Sequence, residues 1–171
     1  MAGDVIEDPV LCYRYRFRPE GQVLKVDVWV DPGGGVTIDH FHPTIEERWH
    51  VLEGDVTFTV DGEERPAGPG DCLTAAPGVR HAFENTGPRE ARLEVEAEPP
   101  GELQEFLNEA ARLAEAGRYT RNGRPKGVRG LLEGADFALR YRDTTVTTFP
   151  PPALQRILFP PLAWVGRRLA R

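Results

Sequence analysis

Cysteine is scarce in this chain. Cys12 and Cys72 are the only two in 171 residues, and they form no C-x-x-C pair. That argues against a zinc ribbon or a disulfide scaffold and suits a reducing compartment. Long apolar runs are also lacking, so no bilayer-spanning helix is expected. Met1 is followed by no charged region leading into an apolar core, so no signal peptide is expected either. The chain has no internal repeat, and no low-complexity segment beyond Pro150-Pro151-Pro152. Basic charge is short in the first hundred residues, which carry 20 Asp/Glu against 9 Lys/Arg. Such a surface repels phosphates, which excludes a nucleic-acid partner there. The expectation is a cytoplasmic protein of one domain, or one domain with an appendage, large enough to bury a core without disulfides.

Residues 1–98 read as strands. Leu11, Tyr13, Tyr15 and Phe17 alternate with Cys12, Arg14 and Arg16, and Leu24, Val26, Val28 and Val30 alternate with Lys25, Asp27 and Trp29. A period of two places one set inward and the other outward. Further short strands are expected near 36–40, 48–52, 55–60, 72–75, 81–85 and 91–97. Turn clusters such as Asp31-Pro32-Gly33-Gly34-Gly35 and Gly68-Pro69-Gly70-Asp71 separate them. Many short strands with regular turns imply a sandwich or barrel. Pro99-Pro100-Gly101 marks a boundary, giving two units, 1–98 and 99–171. In the second, Leu103, Phe106, Leu107, Ala110, Leu113 and Ala114 recur at helical spacing, with Gly117 as a stop. Another helix is expected from about Gly130 to Tyr141, then a break at the proline run.

The chemistry concentrates in two short stretches. His40 and His42 are two apart, so on a strand both imidazoles face the same side, and a carboxylate a few residues later can return to it. His81 follows a second turn, Ala76-Pro77-Gly78. Three neutral imidazoles and a carboxylate suit a first-row divalent metal and leave coordination positions open.

With these residues the chain resembles the cupin superfamily. The first motif of that family runs Gly, five residues, His-x-His, three or four residues, Glu, six residues, Gly, which Gly34, His40, His42, Glu47 and Gly54 match. Its second runs Gly, five residues, Pro-x-Gly, two residues, His, three residues, Asn. Gly70, Gly78, His81 and Asn85 match it, with Ala76 in place of the proline. Adjacent Glu46 also falls within the allowed gap, but only Glu47 keeps six residues before Gly54. The resemblance implies an all-β, cupin-type jelly-roll β-barrel with a C-terminal helical extension, commonly a homodimer. It implies metal ligation by His40, His42, Glu47 and His81, the ion being Mn, Fe, Ni, Cu or Zn. Trp49, Val51 and Phe83 share parity with Glu47 or His81 and are candidates to line a substrate site, with plain core packing as the alternative. His50 and Arg80 have the opposite parity and are expected to turn away.

The functional expectation is a metal-dependent enzyme, of oxygenase or isomerase type, acting on a small polar molecule. Two alternatives stay open: a non-catalytic small-molecule-binding module, and a metal kept only for stability. Nothing in the sequence assigns a catalytic acid or base. Residues 101–171 reverse the charge, with 12 Lys/Arg against 7 Asp/Glu. This basic part is expected to rest on the acidic part of its own or a neighbouring subunit. The tail, 153–171, has two possible fates. It can pack on the barrel or a partner subunit and bury Leu158, Leu162, Trp164 and Val165, or it can lie in a membrane interface. Packing is the expectation, because Pro160 and Pro161 break the stretch.

Overall fold

The computed structural model describes residues 4–169. Among the described residues, eleven strands and three helices follow one another in the order β1 Ile6–Asp8, β2 Tyr13–Glu20, β3 Val23–Val30, β4 His40–Phe41, β5 Glu46–Glu53, β6 Val56–Val60, β7 Glu63–Ala67, β8 Cys72–Ala75, β9 His81–Asn85, β10 Ala91–Glu98, α1 Leu103–Glu115, α2 Gly127–Arg140, β11 Val146–Thr147 and α3 Pro152–Leu169. They form two antiparallel sheets, β1-β2-β3-β10-β5-β8 and β11-β4-β9-β6-β7. The expectation of a barrel holds in its coarser form only. The sheets share one core, but among the described residues no hydrogen-bonded ladder joins one to the other.

The core follows from strand alternation. Tyr13, Tyr15 and Phe17 of β2, Leu24, Val26, Val28 and Val30 of β3, and Leu93 and Val95 of β10 are buried with Val56 and Phe58 of β6. The opposite face of the first sheet is a ladder of charge. Arg16 pairs with Asp27 across β2–β3, Arg18 with Asp27 and Glu94, and Arg48 of β5 with Glu96 of β10. Asp27 is itself buried on this face, beneath the two arginines. Two of the matched glycines have steric reasons. Gly54 has φ 81°, and a Cβ there would lie 2.7 Å from the Ala91 Cα. A Cβ on Gly34 would lie 2.2 Å from the Cys12 carbonyl oxygen. Asn85 is wholly buried; its Nδ2 donates to the Val30 and Arg89 carbonyls, and its Oδ1 accepts from the Gly87 N–H, which pins the turn into β10.

The C-terminal segment is tied to the sandwich at several points. The Tyr15 hydroxyl donates to the Leu107 carbonyl of α1, and the Tyr119 hydroxyl donates to Asp8 of β1, at 2.8 and 2.7 Å. Phe106 of α1 stacks on Phe137 of α2 with centroids 4.9 Å apart. β11 adds a strand to the second sheet, pairing Thr147 with His40 and Val146 with Phe41. Gln155 near the start of α3 donates to the Thr147 and Pro150 carbonyls at 2.7 and 2.6 Å.

Several local expectations change. α2 begins three residues before Gly130, and the chain from 36 to 39 is not strand. β7 was not anticipated, because Glu63-Glu64-Arg65-Pro66 shows no apolar alternation. It is an edge strand, where Pro66 withholds no ladder bond that the fold needs. Pro160 and Pro161 do not break the tail, since α3 runs through both. The burial expected for Leu158, Trp164 and Val165 does not occur within one chain. Ala163 and Gly166 face α2 instead, and those three side chains are exposed. No helix among the described residues is long and apolar enough to cross a membrane.

Candidate metal centre

His40 and His81 face each other across the β4–β9 ladder, with ring centroids 4.4 Å apart. His42 follows β4, and the Gly78 N–H holds its backbone by donating to the His42 carbonyl at 2.8 Å. Glu47 comes from β5 in the opposite sheet. One ligand-type atom from each of the four residues lies within 4.8 Å of the others. The cluster therefore sits between the sheets, and it needs both of them. His42, Glu47 and His81 are buried, while His40 is half-buried.

The histidines are oriented by their other ring nitrogens. His40 Nδ1 lies 2.8 Å from the Ile38 carbonyl oxygen, His81 Nδ1 3.0 Å from that of Val79, and His42 Nδ1 2.8 Å from that of Thr144. A carbonyl oxygen only accepts, so each Nδ1 carries the proton, and in the neutral ring Nε2 keeps its lone pair. His42 Nε2 and His81 Nε2 are buried and have no hydrogen-bond partner. Both lie 3.3 Å from Glu47 Oε2. Buried lone pairs without donors are costly unless something else occupies them. Convergent imidazole lone pairs beside a carboxylate are the donor set that suits a first-row divalent transition metal, so the residues present fit such an ion.

Electrostatics agree with this reading. Burial, reinforced by His81 and His42, holds His40 well below its ordinary range, so its ring is neutral. Burial opposes charge on His42, but the Glu47 carboxylate outweighs it and the net shift is upward. Burial would likewise raise Glu47, but His42 and His81 outweigh it and hold the carboxyl well below the usual range. Glu47 is thus anionic, and a cation entering the cluster competes with a proton for His42.

Strand parity sorts the neighbours. Glu46 turns out and accepts from Arg48 at 2.9 Å. His50 lies on the outer face, 3.9 Å from Glu96. Arg80 is exposed, 3.8 Å from Asp39 and from Asp61. Trp49 and Val51 point inward, and Trp49 stacks edge-on against His81 at 5.0 Å. Phe83 is buried but packs on Phe58 at 5.9 Å, one layer further along the core. The turn at Ala76-Pro77-Gly78 forms without the motif proline, closed by the Val79 N–H on the Ala76 carbonyl at 3.0 Å.

Thr144 and Thr145 were not anticipated. The Thr144 carbonyl accepts from His42, and the Thr145 hydroxyl lies 3.2 Å from the same Nδ1. These contacts span more than a hundred residues, and nothing in the local pattern around Thr144 announces them. His40 and His81 find carbonyls two residues back along the chain, whereas His42 takes its acceptor from a distant segment.

Residues 27–96, which include all four cluster residues, match the family model described as Cupin domain. The match covers 70 of the 171 residues and identifies this segment as a cupin domain. Over 68 residues it is 35% identical to the polyketide synthase CurC of Streptomyces cyaneus, covering 40% of this chain and 44% of that protein. Over 64 residues it is 33% identical to quercetin 2,3-dioxygenase of Bacillus subtilis, covering 37% of this chain and 19% of that one. The chain thus spans less than half the length of the curated relatives it matches. KdgF from Halomonas sp. superposes with a TM-score of 0.51 at 20% identity, covering 58% of this chain and 90% of that one, a likeness of fold.

Proposed function

We propose that this chain is a metal-dependent cupin enzyme, of oxygenase or isomerase type, acting on a small oxygenated molecule. His40, His42, Glu47 and His81 hold one divalent ion: Mn, Fe, Ni, Cu or Zn. The observation that carries the proposal is the convergence of Nε2 of His42 and His81, buried and unpartnered, on the Glu47 carboxylate. Bound there, such an ion supplies Lewis acidity toward a carbonyl or enol oxygen, and with a redox-active metal it also supplies electrons. The protein's part is positional. Ile38, Val79 and Thr144 fix the three imidazoles, Glu47 supplies the negative charge, and Trp49, packed against His81, is an apolar wall that keeps water from one side of the site. Half-buried His40 marks the side of approach. Two relatives named as a polyketide synthase and a quercetin dioxygenase support an oxygenated small molecule as the substrate class. We read 1–98 as the site-bearing unit, a jelly-roll in its winding, and 99–171 as a helical extension that buttresses it.

Metal analysis of protein purified without chelator tests the ligand set. Up to one transition metal per chain is expected in the wild type, falling sharply in His40→Ala, His42→Ala and His81→Ala. Equal metal content in all four proteins would overturn it. One observation favours the second reading, a non-catalytic binding module: Trp49, the side chain packed against His81 of the cluster, is apolar and adds no proton carrier. Binding without turnover, by thermal shift and product analysis of the metal-loaded protein across flavonol, polyketide and sugar-phosphate panels, would decide for the module.

A further inference from the structure

The helix α3 has two apolar faces. One is seated on α2, where Ala163 is fully buried and a Cβ on Gly166 would come within 3.2 Å of Leu132. The other carries Leu154, Ile157, Leu158, Trp164, Val165 and Leu169, all exposed. Steps of three, four and seven residues align them as a single stripe along the helix. Phe149, just before the helix, is 79% exposed, and Ile157 and Leu169 are 70% and 75% exposed. Scattered apolar side chains on a surface are ordinary, but a continuous stripe on a regular element calls for an occupant.

Charge identifies the occupant. Residues 144–171 contain no Asp or Glu and carry Arg156, Arg167, Arg168 and Arg171. Arg167 is held by Asp136 of α2, whereas the Arg168 guanidinium lies 4.4 Å above the Trp164 ring. A second copy of α3 fits this stripe poorly. In a pair packed through the stripe, Arg168, which lies within it, is pressed against the apolar stripe of the other helix and, in a parallel pair, against its own equivalent. Neither helix offers a carboxylate in return. A layer of anionic headgroups satisfies both features, taking apolar side chains and a tryptophan at its boundary and arginines at its phosphates. Spanning is excluded for this helix, since it is not long and apolar enough to cross. The first hundred residues, with 20 acidic against 9 basic side chains, are repelled by the same surface, which orients the sandwich away from it.

We propose that α3 docks this protein on an anionic lipid surface, with the stripe at the headgroup–acyl boundary and Arg168, which lies within the stripe over Trp164, on the phosphates. The full chain, mixed with phosphatidylcholine vesicles with or without phosphatidylglycerol, provides the test. Co-sedimentation is expected only with phosphatidylglycerol, weakening as salt is raised. Ile157→Glu combined with Trp164→Glu should lower the partition at least about ten-fold at unchanged circular dichroism. Arg168→Gln touches no buried group and keeps the test valid if the first variant misfolds. It should lower the partition by about five-fold. Wild-type protein left in the supernatant with both vesicle types would overturn the proposal. So would equal sedimentation with both, or a wild-type dimer that the stripe variant turns into a monomer, which would make the stripe a self-interface.

Discussion

Leu93 and Ile157 are both aliphatic side chains on regular elements, yet Leu93 is 0% exposed in the sandwich and Ile157 is 70% exposed on α3. In the sandwich the central strands each have one face to hide, and a second sheet stands opposite to hide it. In α3 the helix has more apolar surface than α2 alone covers. The first region is closed on itself, and its charged groups are paired across neighbouring strands. The second is half-covered, and two of its arginines meet no acid among the described residues. The comparison separates two uses of apolar surface. One supplies the stability that holds the cluster between two sheets. The other is available for contact outside the chain.

The largest effect should come from the core. Phe58→Ala removes a fully buried ring and should destabilise the protein by about 3–5 kcal/mol, whereas Ile157→Ala should stay within about 0.5 kcal/mol. Chemical denaturation of both variants measures the contrast, and equal losses would show that α3 is covered in solution. Next in size is the cluster. His81→Ala should lower metal affinity by at least about 100-fold, since loss of a metal ligand should exceed loss of an outer-shell partner. Glu47→Gln should weaken binding more than Glu46→Gln in a metal titration, because Glu46 faces Arg48 on the outer surface.

A third prediction divides the C-terminal region itself. Truncation after Pro152 keeps Thr144, Thr145 and β11 but removes Gln155, so metal binding should persist with a lower melting temperature. Truncation after Asp143 also removes the acceptor for His42 Nδ1 and should cost about 10- to 100-fold in affinity. Thr145→Val, which removes only the hydroxyl near that nitrogen, should fall at or below the lower end of that range. Identical affinities for the two truncations would mean that the strap does not orient His42.

The smallest effect concerns pH. Burial would raise Asp27, but Arg16 and Arg18 outweigh it and the net shift is downward. A carboxyl depressed in the folded state stabilises above its unfolded pKa, and that stability is lost as pH falls through the folded value. Acid unfolding of the wild type should therefore steepen below roughly pH 4, and Asp27→Asn should flatten that part of the curve. An unchanged acid limb would show that the outer charge ladder adds nothing to stability.

The strands and the cluster were legible because both depend on short-range pattern. Alternation placed Tyr15, Phe17 and Val28 inward, strand parity and two turns suggested His40, His42 and His81, and the motif spacing to Gly54 that the cupin resemblance supplies selected Glu47. The tail was misread because Pro160 and Pro161 carry a strong local penalty in a helix interior. Packing of α3 on α2 through Ala163 and Gly166 overrides it. β7 was missed because an edge strand with both faces exposed leaves no apolar signature.

The sequence by itself determined which side chains belong together: two imidazoles two apart, a carboxylate five residues on, a third imidazole after a glycine turn, and strands whose apolar faces demand a partner sheet. Only the tertiary structure decided what orients them and what stays uncovered. His42 is turned by a carbonyl 102 residues away, and α3 finds a partner for one apolar face but not for the other. The physical reason is range. Backbone periodicity fixes which way a side chain points from its own strand, but a hydrogen bond between distant segments depends on how whole elements pack, and no local pattern encodes that.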